Sequence, residues 1–173
     1  MTDELSVRRF RPGDGPRIHE LHEVAMRDVG AYADEPADDD LESVTETYLE
    51  RGGEFLVGTV DDRIVAMGAF RPVPDDHYIR QFLAALPDSA VILTRMRVEP
   101  ARQRRGYGQR IYDELEARAR DRGYTTIVLD TMARQTAARG LYESNGFDER
   151  CRERIEAFDE PFDLLVYRKS LTK

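Results

Sequence analysis

The sequence predicts an α/β fold, a mixed and mostly antiparallel sheet of about seven strands with a central βαβ unit. Three observations support it. Seven short runs are rich in β-branched and aromatic residues. From Ala90 to Thr131 a β-rich run, an amphipathic helical run and a second β-rich run follow one another, the pattern of a parallel pair with its crossover. The β-rich runs Glu54 to Val60 and Arg63 to Phe70 meet at Asp61 and Asp62, a hairpin signal that favours antiparallel pairing.

In chain order, Leu5 to Arg11 alternates around Val7 and Phe10 as a strand that Pro12, Gly13 and Gly15 break. Asp14 is placed to cap a helix from Pro16 to Val29, whose Ile18, Leu21, Ala25 and Val29 recur at helical spacing. The acidic stretch Asp34 to Asp40 reads as a loop, and a second helix starts near Leu41, with Val44, Tyr48 and Leu49 on one stripe, and stops at Gly52 and Gly53. Glu54 to Val60 and Arg63 to Phe70 form a hairpin over Asp61 and Asp62. Between Pro72 and Pro87 an insert carries Ile79, Phe82, Leu83 and Leu86 as a short helix, a lid or contact element. The strand Ala90 to Val98, a helix from Arg105 to Gly123 and the strand Tyr124 to Thr131 make the βαβ unit. Ile111, Leu115 and Ala119 face its sheet, and Glu114 with Arg118 and Glu116 with Arg120 form surface pairs. A helix from Gln135 to Ser144 and two final strands, Phe147 to Ile155 and Phe162 to Lys169, close the chain.

The 173 residues, 40% hydrophobic and 35% charged, are expected to form one domain over 1–173. No apolar run is long enough to span a bilayer, and the opening MTDELSVRRF, with two acids and no apolar h-region, does not resemble a secretory signal. A single cysteine cannot form an intrachain disulfide or a thiolate zinc site. A cytoplasmic protein is therefore the expectation. The net charge of -8 argues against nucleic acid and anionic membrane as partners, and self-association as a homodimer stays open. Only Lys169 and Lys173 are lysines among the 26 basic residues, which fits a high-salt cytoplasm or a GC-rich genome. Charge is also unevenly spread. Asp28 to Glu50 holds nine acids without a base, whereas Arg95 to Arg110 holds six arginines against Glu99 alone, a basic segment suited to an anion.

That segment contains VEPARQRRGYG, Val98 to Gly108, between a strand and a helix. The first helical turn leaves amide groups unpaired at the positive end of the helix dipole. A pyrophosphate can dock on main-chain donors from Arg104 to Gln109, where Gly106 and Gly108 remove obstructing Cβ atoms. No Gly-Lys-Ser/Thr follows, so it is not a Walker A loop, and Ile111 stands where a dinucleotide fingerprint needs its third glycine.

Gln103-Arg104-Arg105-Gly106-Tyr107-Gly108 resembles the Q/R-x-x-G-x-G/A pyrophosphate loop of the GNAT superfamily of acetyl-CoA-dependent N-acetyltransferases. Gln135, Ala138, Leu141, Tyr142, Gly146 and Phe147 resemble the family's second block, N-x-x-A-x-x-L-Y-x-x-x-G-F, in the form seen among ribosomal-protein N-terminal acetyltransferases. The resemblance implies the GNAT fold and transfer of acetyl from acetyl-CoA to a primary amine by direct attack, with no covalent enzyme intermediate and no metal. A small-molecule acceptor is the first reading. A protein N-terminus or lysine is the alternative, and a non-catalytic acyl-CoA-binding module is a reading of another class.

The resemblance also implies roles. Backbone groups of Met96, Arg97 and Val98, where the family's strand splays from its neighbour, face the acetyl carbonyl and pantetheine. Gln103, Arg104, Arg105, Gly106, Tyr107, Gly108 and Gln109 hold the pyrophosphate, and Gln135 and Ala138 flank the cofactor, with the Gln135 amide donating to the pantetheine arm. Tyr142 donates a proton to the departing sulfur, or else is an aromatic packing residue. Asp130 stands where the N-terminal acetyltransferase branch carries a glutamate base; it is the base, directly or through water, or a strand-end acid capping the next loop. The other common position for an acid falls near the apolar Ile92. Bulk water, Glu54 and His77 are the acceptors left if Asp130 fails. His19 and His22 lie three apart on one helix without a third ligand, Cys151 reads as a strand residue, and Arg95 and Arg97 share a strand face open to an anion or an ion pair.

Overall fold

The computed structural model describes residues 4–28, 36–156 and 161–172. Strand β1 (Ser6–Arg9) pairs antiparallel with β2 (Glu54–Val60), and β2 with β3 (Arg63–Pro72). The β2–β3 turn is Asp61 and Asp62, at φ 50° and 65°. Two left-handed residues make the primed turn whose twist suits a hairpin. Strand β4 (Ala90–Val98) lies parallel to β5 (Thr126–Met132), in register from Ala90–Thr126 to Ile92–Val128. Strand β7 (Phe162–Ser170) pairs antiparallel with both β5 and β6 (Asp148–Ile155). The mixed sheet runs β1-β2-β3-β4-β5-β7-β6. Its helices are α1 (Gly15–Asp28), the single turn α2 (Val44–Thr47), α3 (Tyr107–Asp121) and α4 (Thr136–Ser144).

The chain divides into two compact units, Met1–Arg71 with Leu93–Arg118, and Pro72–Ile92 with Ala119–Lys173. In the first, α1 sets Ile18 and Leu21 against Leu41, Val44, Tyr48, Phe55, Val57 and Met67. Burying each large side chain in this way contributes about 1.5–3 kcal/mol. Phe55 also meets Phe10 and Tyr48 edge-on at 5.6 and 5.5 Å. On the other face of β3, a Cβ at Gly68 would lie 2.4 Å from Met96 Sδ, 2.8 Å from Ile111 Cγ2 and 3.0 Å from Leu115 Cδ1, so glycine lets α3 pack close. The second unit has its own core of Val73, Ile79, Leu83, Ala90, Ile92, Val128 and Val166.

Several local expectations change. Asp14 does not start α1; its carboxylate accepts from the Arg8 guanidinium at 2.7 and 3.0 Å and from the Arg11 amide at 2.8 Å. Within the acidic stretch Pro36–Glu42 forms 3-10 turns, and residues 29–35 lie outside the described ones. Helix α3 starts at Tyr107 rather than Arg105. Glu116 accepts from the Tyr112 hydroxyl at 2.6 Å, and the Arg120 guanidinium donates to the Leu171 carbonyl. Arg118 lies 3.9 Å from Glu114 and closer, at 3.1 Å, to Glu54.

Candidate active site

In the first unit the site is built at the end of β4 and the loop leading to α3. Alternation along the strand sends Met96 to the α3 side, where its sulfur packs by Gly68, and Arg95 and Arg97 to the α1 side. Arg95 stands at φ 59°, left-handed in the middle of a strand. An L-residue held there costs about 1–3 kcal/mol unless its surroundings fix it. They do. Arg95 bonds the Asp40 carboxylate twice, at 3.0 and 2.6 Å, and the Tyr48 hydroxyl donates to the same carboxylate at 2.5 Å. Between the two arginines lies His22, only 5% exposed, with Nδ1 3.2 Å from Arg97 Nε and Nε2 3.3 Å from Arg95 Nη1. Arg97 also donates to the Met96 carbonyl at 2.8 Å.

Electrostatics follow from this packing. Burial pushes the His22 pKa down, and the charges of Arg97 and Arg95 push it further, to about 3, so the imidazole is neutral. Burial pushes the Asp40 carboxyl up, but Arg95 and Tyr48 more than offset it and leave it below the ordinary value. Among the described residues no set of three His, Cys, Asp or Glu gathers that could hold a metal ion.

Past β4, the Glu99 amide bonds the Val65 carbonyl at 2.8 Å, and its carboxylate gathers Arg63 at 2.8 Å, Arg17 at 3.1 Å and Arg102 at 3.4 Å. The basic segment is thus not uniformly turned to a ligand. Arg95, Arg97, Arg102 and, through the Leu5 carbonyl, Arg110 serve the fold, and Arg104 and Arg105 are the exposed cations of the loop. Arg104 at φ 66° and Gly106 at φ 81° are left-handed, with Arg105 and Tyr107 of ordinary φ after each. Alternation of left-handed and ordinary φ is the pattern by which successive amides turn toward one side. The first intrahelical bond of α3 runs from the Arg110 amide to the Gly106 carbonyl at 3.0 Å, so the amides of Tyr107, Gly108 and Gln109 sit ahead of the helical ladder. A Cβ at Gly106 would meet nothing within 4 Å, so the approach to this backbone is open. The Gln103 side chain is exposed and lies 3.5 Å from the Val98 carbonyl.

The second unit carries the remaining site residues. Asp130, half-buried on β5, accepts from the Tyr78 hydroxyl at 2.5 Å and does not cap the next loop. The capping is done by Gln135, whose side-chain carbonyl accepts from the Thr131 hydroxyl at 3.1 Å and the Met132 amide at 3.0 Å. Burial raises the Asp130 pKa and the Tyr78 bond pulls it partly back. Tyr142 is 6% exposed on α4, one helical turn beyond the half-buried Ala138, and packs on Phe147 at 5.8 Å and Tyr167 at 6.3 Å. Its ring therefore has a packing role whatever its hydroxyl does. Cys151 is a half-buried residue of β6 against the core.

Two reserve bases change standing. Glu54 is fully buried in the first unit, 2.8 Å from Arg9 and 3.1 Å from Arg118, which holds it as a structural anion. His77 accepts the Ile79 amide at Nδ1, 3.1 Å, and caps the short turn of the insert. Sequence reasoning missed Asp40, assigned to an open loop, and Tyr78, which lies in the insert without a motif. It also missed the left-handed Arg95 and Arg104, which no glycine signals.

Residues 16–147 match the Acetyltransferase (GNAT) family. The chain is 31% identical over 125 residues to human N-acetyltransferase 8, covering 72% of this chain and 52% of that protein. It is 33% identical over 106 residues to the [ribosomal protein bS18]-alanine N-acetyltransferase of Salmonella typhimurium, 60% of this chain and 62% of that one. The chain thus spans about half to three fifths of the length of these relatives. Among solved structures, an N-acetyltransferase from Staphylococcus aureus Mu50 superposes with a TM-score of 0.80 at 17% identity, over 98% of this chain and 100% of that one. The Salmonella typhimurium protein yncA, solved with its cofactor acetyl-CoA, superposes at 0.77 with 20% identity, over 98% and 95%. Among the described residues no helix is long and apolar enough to cross a membrane.

Proposed function

The chain belongs to the GNAT acetyltransferase family, and from that premise we propose that residues 1–173 act as one N-acetyltransferase domain. It transfers acetyl from acetyl-CoA to a primary amine. The observation that carries this reading is the alternation of φ at Arg104 and Gly106 ahead of the α3 amides, a pattern suited to a main-chain anion nest, with an open approach. It would take the pyrophosphate, with Arg104 and Arg105 as screening cations and Gln103 and Gln109 at its margins. The Met96 to Val98 backbone would face the acetyl and pantetheine, and Gln135 and Ala138 would flank the arm.

Acetyl-CoA supplies an activated thioester when bound. The acceptor nitrogen attacks its carbonyl carbon, a C–N bond forms, and the C–S bond breaks with the electron pair leaving on sulfur. Asp130 takes the proton lost from nitrogen, and Tyr142 gives one to the sulfur. Burial suits Asp130 to this task, because a raised pKa makes a carboxylate a stronger proton acceptor. A phenol of ordinary pKa near ~10 is protonated at neutral pH and able to donate.

A small-molecule amine is the first acceptor to test. Similarity to the bS18-alanine enzyme favours a second reading, a protein N-terminus. A panel of small amines, peptides with free N-termini and lysine peptides, incubated with acetyl-CoA and read by thiol release, separates them. Release confined to small amines supports the first reading, and release confined to peptides supports the second. Tight acetyl-CoA binding without release from any acceptor points to a non-catalytic module.

A further inference from the structure

The Pro72 to Pro87 insert is anchored rather than loose. Ile79 and Leu83 are buried in the core of the second unit, and the Val73 amide bonds the Ala90 carbonyl at 3.2 Å. The Arg80 guanidinium donates to the Pro74 and Val73 carbonyls, both at 2.8 Å, closing the segment on itself. His77 caps the turn and stacks on Tyr78 with centroids 4.5 Å apart. On this braced turn Tyr78 leaves its ring 44% exposed, unusual for a large aromatic, while its hydroxyl rests on Asp130 Oδ2.

We propose that Tyr78 is a positioning residue for Asp130, fixing the carboxylate in one orientation and favouring its ionised form. This rests on the reading of Asp130 as the base. Held in a half-buried strand, a carboxylate without a donor would be protonated over a wider pH range and could not accept the amine proton there. The phenol stays a donor, because burial and the Asp130 charge both raise its own pKa. Several ionisable groups of neighbouring elements have partners of their own. Arg80 faces carbonyls of the insert, the Tyr167 hydroxyl of β7 donates to Glu143, Asp163 of β7 pairs with Arg154, His77 caps Ile79, and Cys151 of β6 packs in the core. The exposed Tyr78 ring is then the surface that an acceptor's substituent meets beside the base.

The test is the pH profile of kcat at saturating acetyl-CoA and amine for the parent, Tyr78→Phe and Asp130→Asn, with melting temperatures and acetyl-CoA affinities measured alongside. Loss of one hydrogen bond to the carboxylate should move the acidic limb of Tyr78→Phe up by about half to one pH unit and lower the plateau rate, because the base is no longer held in one orientation, with acetyl-CoA affinity unchanged. Tyr78→Leu, lacking ring and hydroxyl, should move it the same way. Asp130→Asn should lower the rate and abolish that limb. If Asp130→Asn does so but both Tyr78 variants keep the parental limb, the positioning role is overturned while the base stands. If Asp130→Asn keeps parental rate and limb, the base assignment fails and this proposal with it. A lower melting temperature with an unmoved limb makes Tyr78 merely structural and also overturns it.

Discussion

His22 makes the support of β4 sensitive to acid. In the unfolded chain a histidine takes up a proton near pH ~6.5. In the folded protein, buried between Arg95 and Arg97 and beside Asp40, it stays neutral down to about 3. The unfolded state therefore binds the extra proton first, and stability falls as pH drops from 6.5 toward 3. The full window of about 3.5 units corresponds to about 5 kcal/mol, of which about 2 kcal/mol is lost between pH 7 and pH 5. His22→Gln keeps a side chain able to accept from one guanidinium and removes the titration. Urea unfolding of parent and variant at pH 7 and pH 5 isolates the effect, since every other titrating group is common to both. The parent should lose about 2 kcal/mol more than the variant, about 1 M in midpoint for a typical urea slope. Equal losses in the two proteins would refute the burial argument for His22.

Other changes probe the rest of the site. Gly106→Val places a branched residue at φ 81°, so the loop must turn away from the left-handed conformation; acetyl-CoA affinity measured by calorimetry should drop tenfold or more, and parental affinity would remove the nest from the account. Gly68→Ala drives a methyl against Met96, Ile111 and Leu115 and should cost about 1–3 kcal/mol, seen as a melting point lower by several degrees. Adding Met96→Ala should recover part of that loss, and no recovery would mean that the sulfur is not the obstacle. Tyr142→Phe keeps the contacts with Phe147 and Tyr167 and should lower turnover roughly 10 to 10³-fold with acetyl-CoA affinity little changed. Unchanged turnover, with chemistry limiting, would leave Tyr142 a packing residue.

What could be read from the chain was local in origin. The Asp61-Asp62 turn, the βαβ order and the glycine ahead of α3 each declare themselves within a few residues, because turn chemistry and hydrophobic period act over that distance. The charge pairing was not readable. Arg95 finds Asp40, Glu54 finds Arg9 and Arg118, and Asp130 finds Tyr78 across separations of 45 residues or more, and each pairing depends on the finished fold. For the same reason the basic segment Arg95 to Arg110 overstated its ligand-facing charge, since Glu99 and Asp40 take up part of it. Helical spacing on α3 likewise did not reveal that the Tyr112 hydroxyl donates to Glu116 or that Arg120 reaches the Leu171 carbonyl.

Direct transfer from acetyl-CoA to an amine is tested most simply by following the acetyl group. The protein is incubated with isotope-labelled acetyl-CoA, first alone and then with the best acceptor of the panel, and the intact mass of the chain and the label in the acceptor are followed together with thiol release. Direct attack predicts an unmodified chain in both incubations, and label entering the acceptor amine in step with released thiol. A chain that gains acetyl, on Cys151 or elsewhere, and then passes it on would contradict the account, as would tight acetyl-CoA binding with no label reaching any amine.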